Sequence, residues 1–327
     1  MTEEKKYKVL ARKYRPQKFE DLIGQELLVK ILSNAINNDR LAHAYILTGV
    51  RGVGKTTTAR LIAMSINCKN RDKKNCEPCG NCDSCKSTTS DSNLDVIEID
   101  AASNTGVDDI REIIDNVKYK PVIGDYKIFI IDEVHMLSKS AFNALLKTLE
   151  EPPEHVKFIF ATTEIKKIPV TVLSRCQRFD LPRIKSSELF NYIKKIKDKE
   201  NGKVSDEALK LIVKISEGSV RDALSLLDRG ILSQEQKKEL DLKTAREIFG
   251  FFDKSQIIEM FEFILKGEEK RVIEIYRKIY DQGIEPKIFI NDFIELIYYF
   301  KNIDSLTLES TNFSLNDNDF LKIKEIS

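Results

Sequence analysis

The sequence predicts an α/β domain, a parallel sheet covered by helices, followed by two all-helical domains. Three observations predict it. From Arg40 to Asp180 short apolar runs alternate with amphipathic segments, after Pro182 the strand-like runs stop, and a second helical stretch opens near Asp241 behind the charged QEQKKEL. β-rich runs separated by helical patterns specify βαβ units, because parallel neighbours need a crossover that covers the sheet.

Taken in order, AYILTG reads as a strand and TTTARLIAMSI as its helix; DVIEID is followed by VDDIREIIDNV, KIFIID by SAFNALLKTLEE, and KFIFATT by a polar turn. Beyond Pro182, SSELFNYIKKIKDK, SDEALKLIVKISEG and SVRDALSLLDRGILS carry a period near 3.6 and are punctuated by Gly202 and Gly218. AREIFGFF, QIIEMFEFILKG and EKRVIEIYRKIYDQG continue the helical pattern. The expected divisions are residues 1–180, 181–240 and 241–327, with a cysteine-bearing insertion at 68–85. The closing TNFSLNDNDFLKIKEIS carries no domain-end signal, so the third division is expected to be truncated.

At 327 residues the chain can build two or three cores. Charged residues at 32% against hydrophobic residues at 42% are an ordinary globular composition, with no single-sign excess to suggest disorder. A net charge of +1 argues against wholesale coating of nucleic acid, while leaving room for a local basic face. MTEEKKYKVLARKYRP lacks the apolar core of a signal peptide, and no run of about 18 apolar residues appears. The expectation is a cytoplasmic protein with no membrane partner. In a reducing compartment, five of six cysteines crowded between Cys68 and Cys85 read as a metal site rather than as disulfides.

GVRGVGKT, Gly49 to Thr56, matches G-x-x-x-x-G-K-[ST] between an apolar run and a helical one. Its backbone, from Gly49 and Val50 through Arg51, Gly52, Val53 and Gly54, would wrap the phosphates of a nucleotide at a helix N-terminus. Lys55 neutralises charge, the Thr56 hydroxyl is suited to Mg2+, and Thr57 follows in the first turn. Asp132 and Glu133, directly after KIFII, are the acidic partners: Asp132 for Mg2+ through water, Glu133 to orient and activate the attacking water. Thr163, or else Thr162, closes KFIFATT with a hydroxyl that could sense the γ-phosphate, although a β-branched strand end reads the same way. On the residues alone, Arg175 and Arg221 read as surface or helix-pairing arginines.

Among the cysteines, five candidates compete for four thiolate places around one ion. Cys76 with Cys79, Cys82 and Cys85 would set four ligands at a uniform three-residue spacing, which strains one short turn. C-x2-C-x2-C also occurs in ferredoxins, but there the next cysteine comes after three residues and precedes proline, whereas Cys85 comes after two and precedes Lys86. Zinc (Zn2+) in a closed structural site is therefore expected over an iron-sulfur cluster. The histidines His43, His135 and His155 lie away from the cluster in sequence and receive no ligand role.

ARKYRPQKFEDLIGQE, GVRGVGKTTTAR, the cysteine cluster, IEIDAASN, IIDEVHMLSKSAFNALLKTLEEPPEHVKFIFATT, LSRCQRFD and EGSVRDALSLLD together resemble the bacterial DNA polymerase III gamma/tau subunits. These are the motor subunits of the sliding-clamp loader. The resemblance covers the α/β domain and the small helical domain, and beyond about Asp241 only the helical pattern and GFFD carry it. It implies an AAA+ ATPase module with a zinc-binding insertion, an all-α lid and an all-α collar that oligomerises.

The resemblance also implies roles for single residues. Thr163 falls where the family's first sensor sits and Arg221 where the second, a lid arginine, sits. Arg175, in SRC, resembles an arginine finger that completes the ATP site of a neighbouring subunit. Arg15 and Pro16 lie in the segment that lines base and ribose. Cys68, Cys79, Cys82 and Cys85 match the zinc ligands, leaving Cys76 spare, while Cys176 is expected to pack with its strand.

The implied partners are the delta and delta-prime subunits, other copies of the same chain, the β sliding clamp and primer-template DNA. One departure stands in SNTGVDDIR. Where family members can present basic residues to duplex phosphates, this chain offers Asn104 and Gly106 and keeps only Arg111. The rival readings are a non-catalytic AAA+ stator of the same assembly and a stand-alone remodeller such as a branch-migration helicase.

Overall fold

The computed structural model describes residues 7–72, 76–103, 106–234, 239–249, 254–281 and 286–302. Asn104, the GFFD motif at 250–253 and the closing segment 303–327 lie outside them. The described residues fall into two compact units, one up to Leu232 and one from Ser233.

The first unit opens with helices α1 (Leu10–Lys13) and α2 (Glu26–Asn37), then alternates strand and helix. Strand β1 (Ala44–Thr48) leads into α3 (Lys55–Ile66) and α4 (Asp83–Thr89); β2 (Val96–Asp100) into α5 (Val107–Val117); β3 (Lys127–Asp132) into α6 (Lys139–Glu150); and β4 (Val156–Thr162) into α7 (Val170–Leu173) and β5 (Gln177–Asp180). All neighbours pair in parallel, in the order β2-β3-β4-β1-β5. The sequence predicts only a polar turn after KFIFATT, yet QRFD forms the fifth strand. Its single buried residue, Phe179, carries too little apolar signal to announce an edge strand.

Side-chain alternation along the strands divides the core in two. Tyr45, Leu47, Ile128, Ile130 and Ile159 face α2 and α3, whereas Ala44, Ile46, Phe129, Ile131, Phe158 and Phe160 face α5 and α6. β1, β3 and β4 are covered on both faces, which explains their near-continuous apolar runs. Cys176, partly buried just before β5, joins the second layer, and burial pushes its thiol up to about 12.

Helices α8 (Ser186–Lys199), α9 (Asp206–Ser216) and α10 (Val220–Leu232) complete this unit. Ser205 caps α9 by accepting from the Ala208 N–H at 3.2 Å, and Gly218 turns the chain into α10 at φ +82°. The N-terminal segment is tied to these helices: Asp228, 6% exposed, accepts from the Tyr7 hydroxyl at 2.6 Å and the Leu10 N–H at 3.2 Å. Glu200 accepts from Lys13 and Tyr14.

The second unit contains α11 (Leu242–Phe249), α12 (Lys254–Lys266), α13 (Glu269–Asp281) and α14 (Pro286–Lys301). Ile257, Ile258 and Phe261 of α12, Ile279 of α13, and Phe289, Leu296 and Tyr299 of α14 form its core. Among the described residues, no helix is long and apolar enough to cross a membrane.

Candidate functional site

The parallel sheet brings the C-terminal ends of β1, β3 and β4 side by side, with Thr48 opposite Thr162 in register. Between β1 and α3 the loop residues 49–54 curl around the N-terminus of α3. Gly52 at φ +80° and Gly54 at φ +103° occupy backbone regions that a side chain resists. At Gly52 there is a further reason: a Cβ would fall 2.0 Å from Ser219 Oγ, at the start of α10.

Lys55, 6% exposed, donates to the carbonyls of Gly49 at 2.9 Å and Val50 at 3.0 Å. Burial lowers its pKa, while the charges of Glu133 and Asp132 act to raise it. The Thr56 hydroxyl donates to Asp132 Oδ2 at 2.5 Å, and Asp132 Oδ1 accepts from the Glu133 N–H at 2.9 Å. Glu133 itself sits left-handed at φ +45°, a conformation its Cβ resists and the surroundings must hold in place.

The hydroxyls closing β4 point different ways. Thr163 donates to Glu133 Oε2 at 3.1 Å, whereas Thr162, fully buried, meets His135 Nδ1 at 3.0 Å and accepts from the Glu164 N–H at 3.0 Å. Thr163 is thus the hydroxyl that reaches the Glu133 carboxylate.

The remaining arginines arrive from different directions. Arg15, half-buried beside Pro16, places Nε 3.2 Å from the Thr57 hydroxyl, and burial lowers its pKa. Its side chain is therefore held against the first turn of α3. Arg221 enters from α10, its backbone N–H donating to the Gly52 carbonyl at 3.3 Å. Arg175 stands apart: its guanidinium donates to the Thr171 carbonyl at 2.6 Å and pairs with Glu150 at 2.5 Å. Arg111 pairs with Asp108 at 2.8 Å on the exposed face of α5.

The cysteine cluster lies at the far end of α3. Cys68 follows the helix, Cys79 sits in the loop, Cys82 caps α4 and Cys85 lies in its first turn. Their four sulfurs lie within 4.8 Å of one another. Tetrahedral zinc with Zn–S near 2.3 Å needs sulfurs about 3.8 Å apart, so the set fits with little contraction. The backbone N–H of Cys79 points at Cys68 Sγ and that of Cys82 at Cys79 Sγ, each at 3.3 Å, a pattern that stabilises thiolates. Backbone donors, that of Asn81 foremost, draw Cys79 down to about 6, whereas burial raises Cys68 and Cys85. Cys76 is fully buried elsewhere, its thiol 2.9 Å from Asn37 Oδ1, in the core layer beneath α2 and α3.

Comparison with known proteins places this arrangement. A family model for the DNA polymerase III delta subunit matches residues 24–185, one for the clamp-loader ATPase lid domain matches 188–235, and one for domain III of the gamma and tau subunits matches 240–327. The gamma subunit of Buchnera aphidicola from Schizaphis graminum is 41% identical over 98% of this chain and 87% of its own length. The chain belongs to the DNA polymerase III gamma/tau family. The tau subunits of Bacillus subtilis and Escherichia coli are 45% and 42% identical, and the chain spans 52% and 45% of their lengths. Among solved structures, the Thermotoga maritima RuvB branch migration motor matches with a TM-score of 0.52 at 21% identity, over 81% of this chain and 80% of that one. That likeness concerns the fold alone: a parallel sheet covered by helices, here followed by a helical lid and a helical C-terminal domain.

Sequence reasoning passed over two residues that the geometry brings to the site. Ser219 packs against the phosphate loop and accepts from the Asp222 N–H at 3.2 Å, a helix-start role visible in GSVRD only once the loop contact is known. His135 lies far from the cysteines in sequence, and its place in DEVH, two residues after Glu133, is the signal that links it to the acidic pair.

Proposed function

We propose that the chain is the ATP-hydrolysing motor subunit of the bacterial replicative clamp loader, working within DNA polymerase III. ATP binding would organise a ring of subunits that holds the β sliding clamp open. Primed DNA would then trigger hydrolysis, and hydrolysis would release the clamp. The observation that carries this reading is the intact set of Lys55, Thr56, Asp132, Glu133 and Thr163 converging at the strand ends. A stator that never hydrolyses ATP has no need of that set, which favours the motor reading over the stator one even though residues 24–185 resemble the delta subunit.

In this reading residues 49–54 would wrap the phosphates, Lys55 would neutralise their charge, and Thr56 with Asp132 would hold Mg2+, whose charge would stabilise the phosphates during transfer. Glu133 takes the proton of the attacking water, and Thr163 keeps that carboxylate aimed. Arg221 reads nucleotide from the lid, Arg15 and Pro16 bound the nucleoside side, and Thr57 anchors Arg15. Arg175 serves the ATP of a neighbouring copy, so an isolated chain turns over slowly.

Cys68, Cys79, Cys82 and Cys85 would hold a structural Zn2+, four thiolates supplying the whole ligand set and stapling the loop between α3 and α4. The functional divisions are residues 1–180 with the zinc module at 68–85, a lid at 181–240 and an oligomerising collar at 241–327. The partners are the delta and delta-prime subunits, further copies of the chain, the clamp and primer-template DNA, all in the cytoplasm.

The test is steady-state ATP hydrolysis with delta, delta-prime and clamp, with and without primed DNA, comparing the native chain with Arg175→Ala. Stimulation by primed DNA that disappears in the variant is expected. Turnover indifferent to both would overturn the reading.

A further inference from the structure

His135 is a buried titratable side chain beside Glu133 that binds neither nucleotide nor metal in the proposed function. Its side chain is 7% exposed and both ring nitrogens face polar atoms. Nδ1 lies 3.0 Å from Thr162 Oγ1 and 3.4 Å from Glu133 Oε2, and Nε2 lies 3.4 Å from Glu164 Oε1. Glu164 is fixed in turn by Lys167 at 2.9 Å and by its own N–H on Thr162 Oγ1. The ring therefore stands between two carboxylates, wedged at its far end by residues that follow β4.

This placement bears on how Glu133 is aimed. Its backbone is left-handed, and its carbonyl accepts from the Met136 N–H at 2.9 Å, so the 3-10 turn Val134–Met136 that carries His135 also holds the Glu133 backbone. Oε2 is then approached from two sides, by the Thr163 hydroxyl at 3.1 Å and by His135 Nδ1. With Oε2 confined, Oε1 is the oxygen free to take a proton from water. A long carboxylate side chain on a strained residue would otherwise sample several rotamers, and a misplacement of about 1 Å in a reacting group can cost on the order of a hundredfold in rate.

We propose that His135 is a positioning residue for the Glu133 carboxylate, its Nδ1 edge confining Oε2 while Thr162 and Glu164 fix the ring. The inference rests on the reading of Glu133 as the group that activates water. It predicts a division between the two ends of the ring. Asn at 135 can set an amide where Nδ1 lies but cannot reach Glu164, whereas Gln reaches toward the Nε2 position and leaves the Nδ1 position empty.

The experiment measures kcat and KM for ATP, together with equilibrium binding of a fluorescent ATP analogue, for the full chain carrying His135→Asn, His135→Gln or Glu133→Gln. The expected result is a fall in kcat of about tenfold to a hundredfold in His135→Gln. Most of kcat should survive in His135→Asn, with analogue affinity within about twofold of native in both. Equal kcat in all three His135 forms would overturn the proposal, as would kcat and analogue affinity falling together, which is the signature of a merely structural histidine. Glu133→Gln separates the two readings. If it turns over ATP like the native chain, the Glu133 assignment fails first; if it is inactive while His135→Gln is not, only the positioning role fails.

Discussion

The Arg221 N–H donates to the Gly52 carbonyl at 3.3 Å, so the first turn of α10 touches the phosphate loop directly. Residues 169 apart in sequence thus share one contact, and the packing is tight enough that Ser219 occupies the space a Gly52 side chain would need.

Gly52→Ala tests that contact. The new Cβ would meet Ser219 Oγ at 2.0 Å from a residue already at φ +80°. The expected outcome is nucleotide affinity reduced by about tenfold or more, with lowered thermal stability, both read by titration and melting. Adding Ser219→Ala should recover part of the loss, since it removes the nearest clashing atom but leaves the backbone strain.

The two hydroxyls at the end of β4, Thr162 and Thr163, should separate. Thr163→Val removes the donor to Glu133 and should lower kcat by about tenfold while sparing ATP affinity. Thr162→Val leaves the Glu164 N–H and His135 without their shared partner in a fully buried position, and should cost about 1–3 kcal/mol of stability in chemical denaturation.

Metal content should follow geometry rather than cysteine count. Elemental analysis of Cys79→Ser should show zinc lost, and Cys76→Ser should keep about one zinc per chain, because the Cys76 thiol packs against Asn37 and the Ser33 carbonyl. Zinc lost from Cys76→Ser and kept by a Cys68→Ser chain would reverse the assignment.

The N-terminal tie to the lid helices should weaken in alkali. Tyr7 is raised to about 12, first by its hydrogen bond to Asp228, and Tyr14 to about 12, first by burial and then by Glu200. A phenol whose folded pKa exceeds the ordinary 10 contributes fully below pH 10, and that contribution is lost as pH rises toward 12. Denaturation midpoints should therefore fall between pH 10 and 12 in the native chain, and by less in Tyr7→Phe.

Much of this architecture was legible because it is written in local chemistry. β1, β3 and β4 are buried on both faces and so must be apolar throughout. The phosphate loop needs glycines that tolerate positive φ, and Asp132 and Glu133 directly follow the apolar KIFII. β5 was not legible: an edge strand pairs through its backbone on one side, and QRFD buries only Phe179.

What the sequence by itself determined is the alternation of β1 to β4 with their helices, the G-x-x-x-x-G-K-[ST] loop and the acidic pair after KIFII, and a cluster of cysteines suited to metal. Each is a property of residues near one another in the chain, where periodicity, backbone freedom and ligand spacing act. Only the tertiary structure decided which cysteine stands apart, which threonine reaches Glu133, and that His135 lies between Glu133 and Glu164. Those choices depend on which way a side chain turns once the sheet register is set. A shift of one residue along a strand reverses its facing, which is why Thr163 meets the carboxylate while Thr162, its neighbour, is buried against the histidine.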